Sequence, residues 1–202
     1  LFYIGEGETQ YNALFDLYQS IQKQGGTRRE FLRAACKLPG IYVPSLYEVT
    51  YQEDGTIAAF IPKYQDVPAK VRKEIQTDLT DAPYPRNPLV PFIKVTQDRV
   101  VLEIQRGCIR GCRFCQAGMI YRPTRERDVD MLKDCARQML EHTGHEEISL
   151  SSLSSSDYSQ LSELIQYLMD FKEKGVNISL PSLRIDAFSL DVMSKVQDVR
   201  KS

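Results

Sequence analysis

No stretch of this sequence stays apolar for long. The longest unbroken run is Ile57-Ala58-Ala59-Phe60-Ile61, far short of the roughly 20 residues that a membrane-spanning helix needs. A membrane protein is therefore not expected. Charge of one sign is missing as well: 26 Lys+Arg stand against 27 Asp+Glu, a net charge of −1 over 202 residues. Neutrality argues against a dedicated nucleic-acid coat, while leaving local patches open. The 42% of hydrophobic residues exclude a disordered chain and supply one sizeable core or two small ones.

Leu1-Phe2-Tyr3-Ile4 has neither a basic leader nor a cleavage site, so no secretory signal is read. An initiator Met is absent too, and the chain starts inside what reads as a strand. A fragment of a longer polypeptide is expected. The 5 cysteines are odd in number, which in a chain without a signal favours metal or redox chemistry in a reducing compartment over a disulfide framework. Histidine is scarce, at 2.

What is present reads as two halves. After the opening strand, Leu14, Leu17, Tyr18 and Ile21 share one helical face, closed by Gly25-Gly26. Thr27 and Glu30 form a capping box for a second helix with Phe31, Leu32, Ala35 and Leu38 on its apolar face. Cys36 adjoins that face and reads as an inert thiol. The period then drops to two, and Tyr47 to Pro62, turning at Asp54-Gly55, reads as a β-hairpin. Residues 63–82 are charged and ambiguous between helix and strand. Pro83, Pro85, Pro88 and Pro91 make a stiff connector and the best domain boundary.

Beyond it, strands and helices alternate. Strands are expected over Val100–Gln105, Glu147–Ser151 and Val176–Leu180. A helix carrying Leu132, Cys135, Ala136, Met139 and Leu140 should end at Gly144, with Cys135 packed in the core. A second, with Leu161, Leu164, Ile165, Leu168 and Met169, should end at Gly175, and a third should run from Leu190 to Val199. This alternation implies a parallel sheet with helices packed on it, of three βα units. An eight-strand barrel needs more, so an end cut at the C-terminus is also expected.

The first of these strands runs straight into Gly107-Cys108-Ile109-Arg110-Gly111-Cys112-Arg113-Phe114-Cys115. Three cysteines spaced C-x-x-x-C-x-x-C follow the C-terminal end of a strand, where α/β folds place active sites. Their thiolates suit one metal centre. An iron–sulfur cube normally takes four Cys ligands, so three leave one iron open. A structural zinc site would want a fourth ligand, and His142 and His145 follow a helix end where a surface or C-cap role suffices. Arg106, Arg110, Arg113, Arg122, Arg125 and Arg127 surround the cysteines with the single acid Glu126. Such a patch offsets thiolate charge or holds a carboxylate or phosphate, unless it is simply a solvated face. Nucleic-acid contact is possible but unsupported. On the same rim lie the serine-rich loop after the second strand and the loop 179–186 after the third; Asp157 there reads as the cap of the next helix.

Cys108, Cys112 and Cys115, with Phe114 before the last, resemble the signature of radical S-adenosylmethionine (SAM) enzymes. The wider text, Arg106-Gly107-Cys108 through Gly118-Met119-Ile120-Tyr121-Arg122-Pro123, the serines 151–156, Leu180-Pro181-Ser182-Leu183-Arg184 and Ile4-Gly5-Glu6-Gly7-Glu8, is similar to an uncharacterised group of them carrying an N-terminal cobalamin-binding domain. The resemblance implies a fold: an α/β chain holding the N-terminal part of a radical SAM (βα) partial TIM barrel over residues 93–202. Before it would come the end of a cobalamin-binding Rossmann-like domain at 1–25 and a helix and β-hairpin connector at 26–92. It also implies a 4Fe–4S cluster on the three cysteines and SAM on its open iron, with Phe114 near the adenine. Ser151, Ser152 and Ser154 would lie where the family's loop meets the methionine amino group, and Ser182 and Arg184 would contact ribose or carboxylate. A flavodoxin or ferredoxin would supply electrons to a cytoplasmic enzyme acting on an unknown substrate, and cobalamin would concern only a longer polypeptide. Two other functions remain open: a non-catalytic iron–sulfur or zinc module, and an RNA-modifying radical SAM enzyme.

Overall fold

The structure is a computed structural model that describes residues 1–80, 82–93 and 95–184. The chain divides into two compact units, Leu1–Thr77 and Asp78–Ser202. Among the described residues no helix is long and apolar enough to cross a membrane.

In the first unit, β1 (Phe2–Tyr3) pairs antiparallel with β2 (Ile41–Tyr42). Between them lie α1 (Tyr11–Lys23) and α2 (Arg28–Ala35). The capping box forms as the sequence implies: Thr27 Oγ1 accepts from the Glu30 amide at 3.3 Å, and the Thr27 amide donates to the Glu30 carboxylate at 2.6 Å. β3 (Tyr47–Tyr51) and β4 (Ile57–Pro62) make the expected hairpin. A small core of Ala35, Cys36, Ile41, Val43, Leu46, Tyr47 and Val67 holds the unit together. Burial raises the Cys36 thiol pKa, as befits an unreactive packing residue. The described part of 63–82 is neither helix nor strand; an isolated parallel bridge between Gly5 and Glu74 joins it to the segment after β1.

The second unit is built on a three-stranded parallel sheet. β5 (Val100–Glu103) and β9 (Asn177–Ser179) flank β8 (Glu147–Ser151). α4 (Val129–Thr143) packs on β5 and against α5 (Leu161–Lys172). Their apolar faces close over Leu102, Ile104, Ile148 and Leu150, all fully buried; each such side chain contributes roughly 1.5–3 kcal/mol by leaving water. Cys135 lies in this core. Gly144 ends α4 with a left-handed residue at φ 68°, which a side chain would resist. The helix expected over 190–199 lies outside the described residues, as do Ile185 and Asp186.

The strand expected over Val100–Gln105 breaks at Ile104. Val100 to Glu103 pair in parallel with Ile148 to Ser151, but β6 (Gln105–Arg106) turns away and pairs antiparallel with β7 (Arg125–Glu126). That ribbon encloses residues 107–124, including the short helix α3 (Ala117–Ile120) and all three motif cysteines.

Candidate functional site

Because β5, β8 and β9 are parallel, the segments that follow them share one rim of the sheet. The cysteine loop is shut at its base by the β6–β7 ribbon and by Arg127, whose amide donates to the carbonyl of Ile104 at 2.9 Å. Gly107 makes the turn into the loop. At φ 81°, its missing side chain leaves room for the carbonyls of Pro123 and Tyr121, which would lie 2.6 and 2.7 Å from a Cβ.

Cys108, Cys112 and Cys115 are free and half-buried in this loop. The Cys115 amide donates to the Cys112 carbonyl at 3.0 Å. Two donors face the sulfurs: the Arg110 amide reaches Cys108 Sγ at 3.4 Å, and Arg184 Nη1 reaches Cys112 Sγ at 3.5 Å. Among the described residues no three His, Cys, Asp or Glu side chains are gathered tightly enough to hold a metal ion. The thiols share a loop without converging on a point. By donor chemistry they fit an iron–sulfur cluster, since soft thiolates on a short glycine-punctuated segment are its ordinary ligands. His142 and His145 do not add to the set. His142 bonds the carbonyl of Gln138, His145 faces Asp98 at 3.6 Å, and both precede β8, at the sheet edge opposite the cysteines.

The serine-rich loop docks beside the cysteine loop. Ser151 ends β8 half-buried, and its carbonyl accepts from the Ile104 amide. Ser152 Oγ shares a 2.9 Å hydrogen bond with Ser155 Oγ and accepts from the Ser154 amide. Ser154 is buried; its hydroxyl donates to Asp157 at 2.8 Å, and its carbonyl accepts from Gln105 Nε2 at 2.7 Å. Gln105 Oε1 is buried without a partner. From the third strand's rim, the Ser182 carbonyl accepts from the Ser155 amide at 2.8 Å, and the Arg184 amide donates to Ser156 Oγ at 3.4 Å. Phe114 stands apart at 91% exposure.

Asp157 corrects one expectation. The residue before α5 is Gln160, and no side chain caps that helix. The Asp157 carboxylate instead accepts a fork from Arg110, at 3.1 and 2.6 Å. That fork holds its pKa below the ordinary carboxylate value, with the Ser154 hydroxyl acting in the same direction. The arginine patch is likewise largely internal. Arg127 is 1% exposed and bonds Glu103, Arg106 also bonds Glu103, and Arg125 is buried and donates to the carbonyls of Pro123 and Tyr121. The acids that neutralise the patch lie outside its stretch of sequence. Glu126, the single acid within the patch, binds the amide and hydroxyl of Ser159 and ties the base of the cysteine loop to the segment after the serine loop. No local pattern marks such long-range pairs.

Comparison with known proteins points the same way. Residues 102–200 match the model of the radical SAM superfamily, and residues 1–44 match that of the N-terminal region of radical SAM proteins. An uncharacterized protein of Methanocaldococcus jannaschii is 34% identical over 137 residues, which is 63% of this chain. The match spans 30% of that relative's length. The stretch that presents three cysteines on the rim of the parallel sheet is thus the one similar to the radical SAM superfamily.

Proposed function

We propose that the second unit holds a 4Fe–4S cluster through Cys108, Cys112 and Cys115, binds SAM beside it, and serves a radical SAM enzyme whose substrate is not yet known. One observation carries this reading: three half-buried thiols in a single loop on the C-terminal rim of a parallel sheet, within a stretch that matches the superfamily. Three ligands leave one iron for an external chelator. The chemistry such a cluster would supply, if bound and reduced, is one electron for cleaving the S–C5′ bond of SAM, which would yield methionine and a 5′-deoxyadenosyl radical able to take a hydrogen atom from substrate.

The chain's own residues would prepare that site. Arg184 places a guanidinium against Cys112 Sγ and offsets thiolate charge. Exposed Phe114 offers an apolar face for adenine. Ser151 and Ser152 stand half-buried at the end of β8, where the methionine end would lie, while Ser154 serves that loop from inside through Asp157. Ser182 and Arg184 would meet ribose or carboxylate. A flavodoxin- or ferredoxin-type donor would provide the electron, and free thiols fit a cytoplasmic setting. Cobalamin would be a cofactor only of a longer polypeptide that includes a whole cobalamin-binding domain, of which residues 1–25 would be the end.

The test is anaerobic reconstitution with iron and sulfide, followed by EPR of the reduced protein with and without SAM. A 4Fe–4S signal that shifts on adding SAM is expected. Cys108→Ala, Cys112→Ala and Cys115→Ala should each abolish it, since each removes one of three ligands, whereas Cys36→Ala and Cys135→Ala should keep it. Equal loss in all five variants, or bound zinc in place of a cluster, would refute the reading.

A further inference from the structure

The cysteine loop receives little help from hydrophobic packing. Ile109, Phe114 and Met119 are exposed, and a Cβ built on Gly111 would meet nothing within 4 Å. Its base is closed by the β6–β7 ribbon, which ends two residues before Cys108, and the segment between Cys108 and Cys112 runs on beyond it. What reaches it is a carboxylate 47 residues away: Arg110 Nε and Nη2 donate to the two oxygens of Asp157 at 3.1 and 2.6 Å.

The pair is built for rigidity. The Asp157 side chain is 6% exposed and Arg110 35%, so the ion pair is partly withdrawn from water and is screened less than a surface pair. Both oxygens are used, which fixes the plane of the guanidinium as well as its distance. Ser154 Oγ donates to the same carboxylate at 2.8 Å and fixes its rotamer in turn. On the loop side, the Arg110 amide reaches Cys108 Sγ, so the anchored residue itself touches one of the thiols. Arg184, whose amide bonds Ser156 next to Asp157, reaches Cys112 Sγ.

We propose that Asp157 is a positioning residue for the cluster loop. Through its fork with Arg110 it pins the Cys108–Cys112 segment against residues 154–157, and so sets where two of the three thiols stand before any cluster binds. It acts through Arg110. The purpose of the pinning rests on the cluster reading above, whereas the pinning itself does not.

The experiment is differential alkylation of the reduced, metal-free chain with iodoacetamide at pH 7.5, read per cysteine by mass spectrometry. The buried Cys36 and Cys135 report unfolding of the first and second unit, while Cys108 and Cys112 report opening of the loop. In Asp157→Asn, Cys108 and Cys112 should label about tenfold faster, the factor expected when a charge-assisted pair is lost, with Cys36 and Cys135 unchanged. Arg110→Lys keeps the charge without the fork and should give an intermediate rate. The swapped double variant Arg110→Asp/Asp157→Arg should recover most of the protection. In a parallel reconstitution, Asp157→Asn should take up less iron than wild type. Unchanged labelling overturns the proposal, and so does Cys135 labelling that rises in step, because the pair would then support the whole unit. The expected labelling pattern in a wild type that takes up no cluster would support the pinning and refute the cluster reading.

Discussion

Replacing Arg127 with Ala separates a structural arginine from a ligand-binding one, and the structure sets the size of the effect. Arg127 Nη2 donates to Glu103 at 2.7 Å, Nη1 donates to the carbonyl of Leu79 at 2.8 Å, and the guanidinium lies 4.6 Å from the centre of the Tyr84 ring. Truncation removes both bonds, orphans the Leu79 carbonyl and strips the ring of its cation. Breaking a buried ion pair costs about 3–5 kcal/mol. The lower end applies here, because the Glu103 side chain is 32% exposed and keeps Arg106 at 2.9 Å. Lost packing on Tyr84 adds about 1 kcal/mol. The sum, about 4 kcal/mol, is a large share of the roughly 5–15 kcal/mol that holds a domain folded.

The chain has no Trp, but each unit contains one buried cysteine outside the motif. Pulsed alkylation across a urea series therefore reads the two units separately, Cys36 for the first and Cys135 for the second. With an m-value of about 2 kcal/mol/M, Arg127→Ala should lower the Cys135 midpoint by about 2 M and leave the Cys36 midpoint in place. Arg127→Lys should fall between, since an ammonium keeps the charge but cannot fork between Glu103 and Leu79. A Cys135 midpoint within about 0.3 M of wild type, a shift of well under 1 kcal/mol at that slope, would show that Arg127 is not buried in an ion pair, and the reasoning would fail. The prediction also bears on RNA: a loss of RNA binding in Arg127→Ala would report unfolding, not a lost phosphate contact.

Two other perturbations probe the site. Gly107→Ala forces a side chain onto a residue at φ 81° and against two carbonyls, at a combined cost of roughly 2–4 kcal/mol; iron uptake should fall sharply while far-UV circular dichroism keeps its helical signal, and full uptake would refute the tight turn. Asp157, its pKa depressed chiefly by Arg110, contributes stability that is complete above the unfolded carboxylate pKa of about 3.9 and is lost as pH falls through the lower folded value. Asp157→Asn should therefore flatten the acid limb of the second unit's urea midpoint plotted against pH, and parallel limbs would count against the pair.

Elements whose cause is local were legible from the sequence. α4 and α5 repeat their apolar residues at helical spacing, and Gly144 and Gly175 take the positive φ that ends each. The capping box of α2 formed with both of its bonds. Legibility failed where the cause is distant. β6 and β7 are two residues each, too short for any period, and they exist because Gly107 folds the loop back on itself. The arginines read as a patch because Arg127 pairs with Glu103, 24 residues back, and Arg110 with Asp157, 47 residues on, and Asp157 read as a cap because capping is the local use of such a residue. The three cysteines differ, because their spacing is itself the signal that proposes them as site residues.

The division between loop and core has an energetic consequence. A metal centre binding to a disordered segment must order it, at roughly 1–2 kcal/mol per residue of backbone, and that cost is subtracted from the affinity of the ligands. Here the ordering is transferred to the folding of the second unit: the β6–β7 ribbon fixes the base of the loop, Gly107 its turn, and the Arg110–Asp157 fork the stretch between the first two cysteines. Weakening the fork should then change the core little and the affinity for iron more. On the proposed reading, C-x-x-x-C-x-x-C would supply the ligands, and a carboxylate from the neighbouring strand's loop would decide how much of their arrangement is left to the moment of binding.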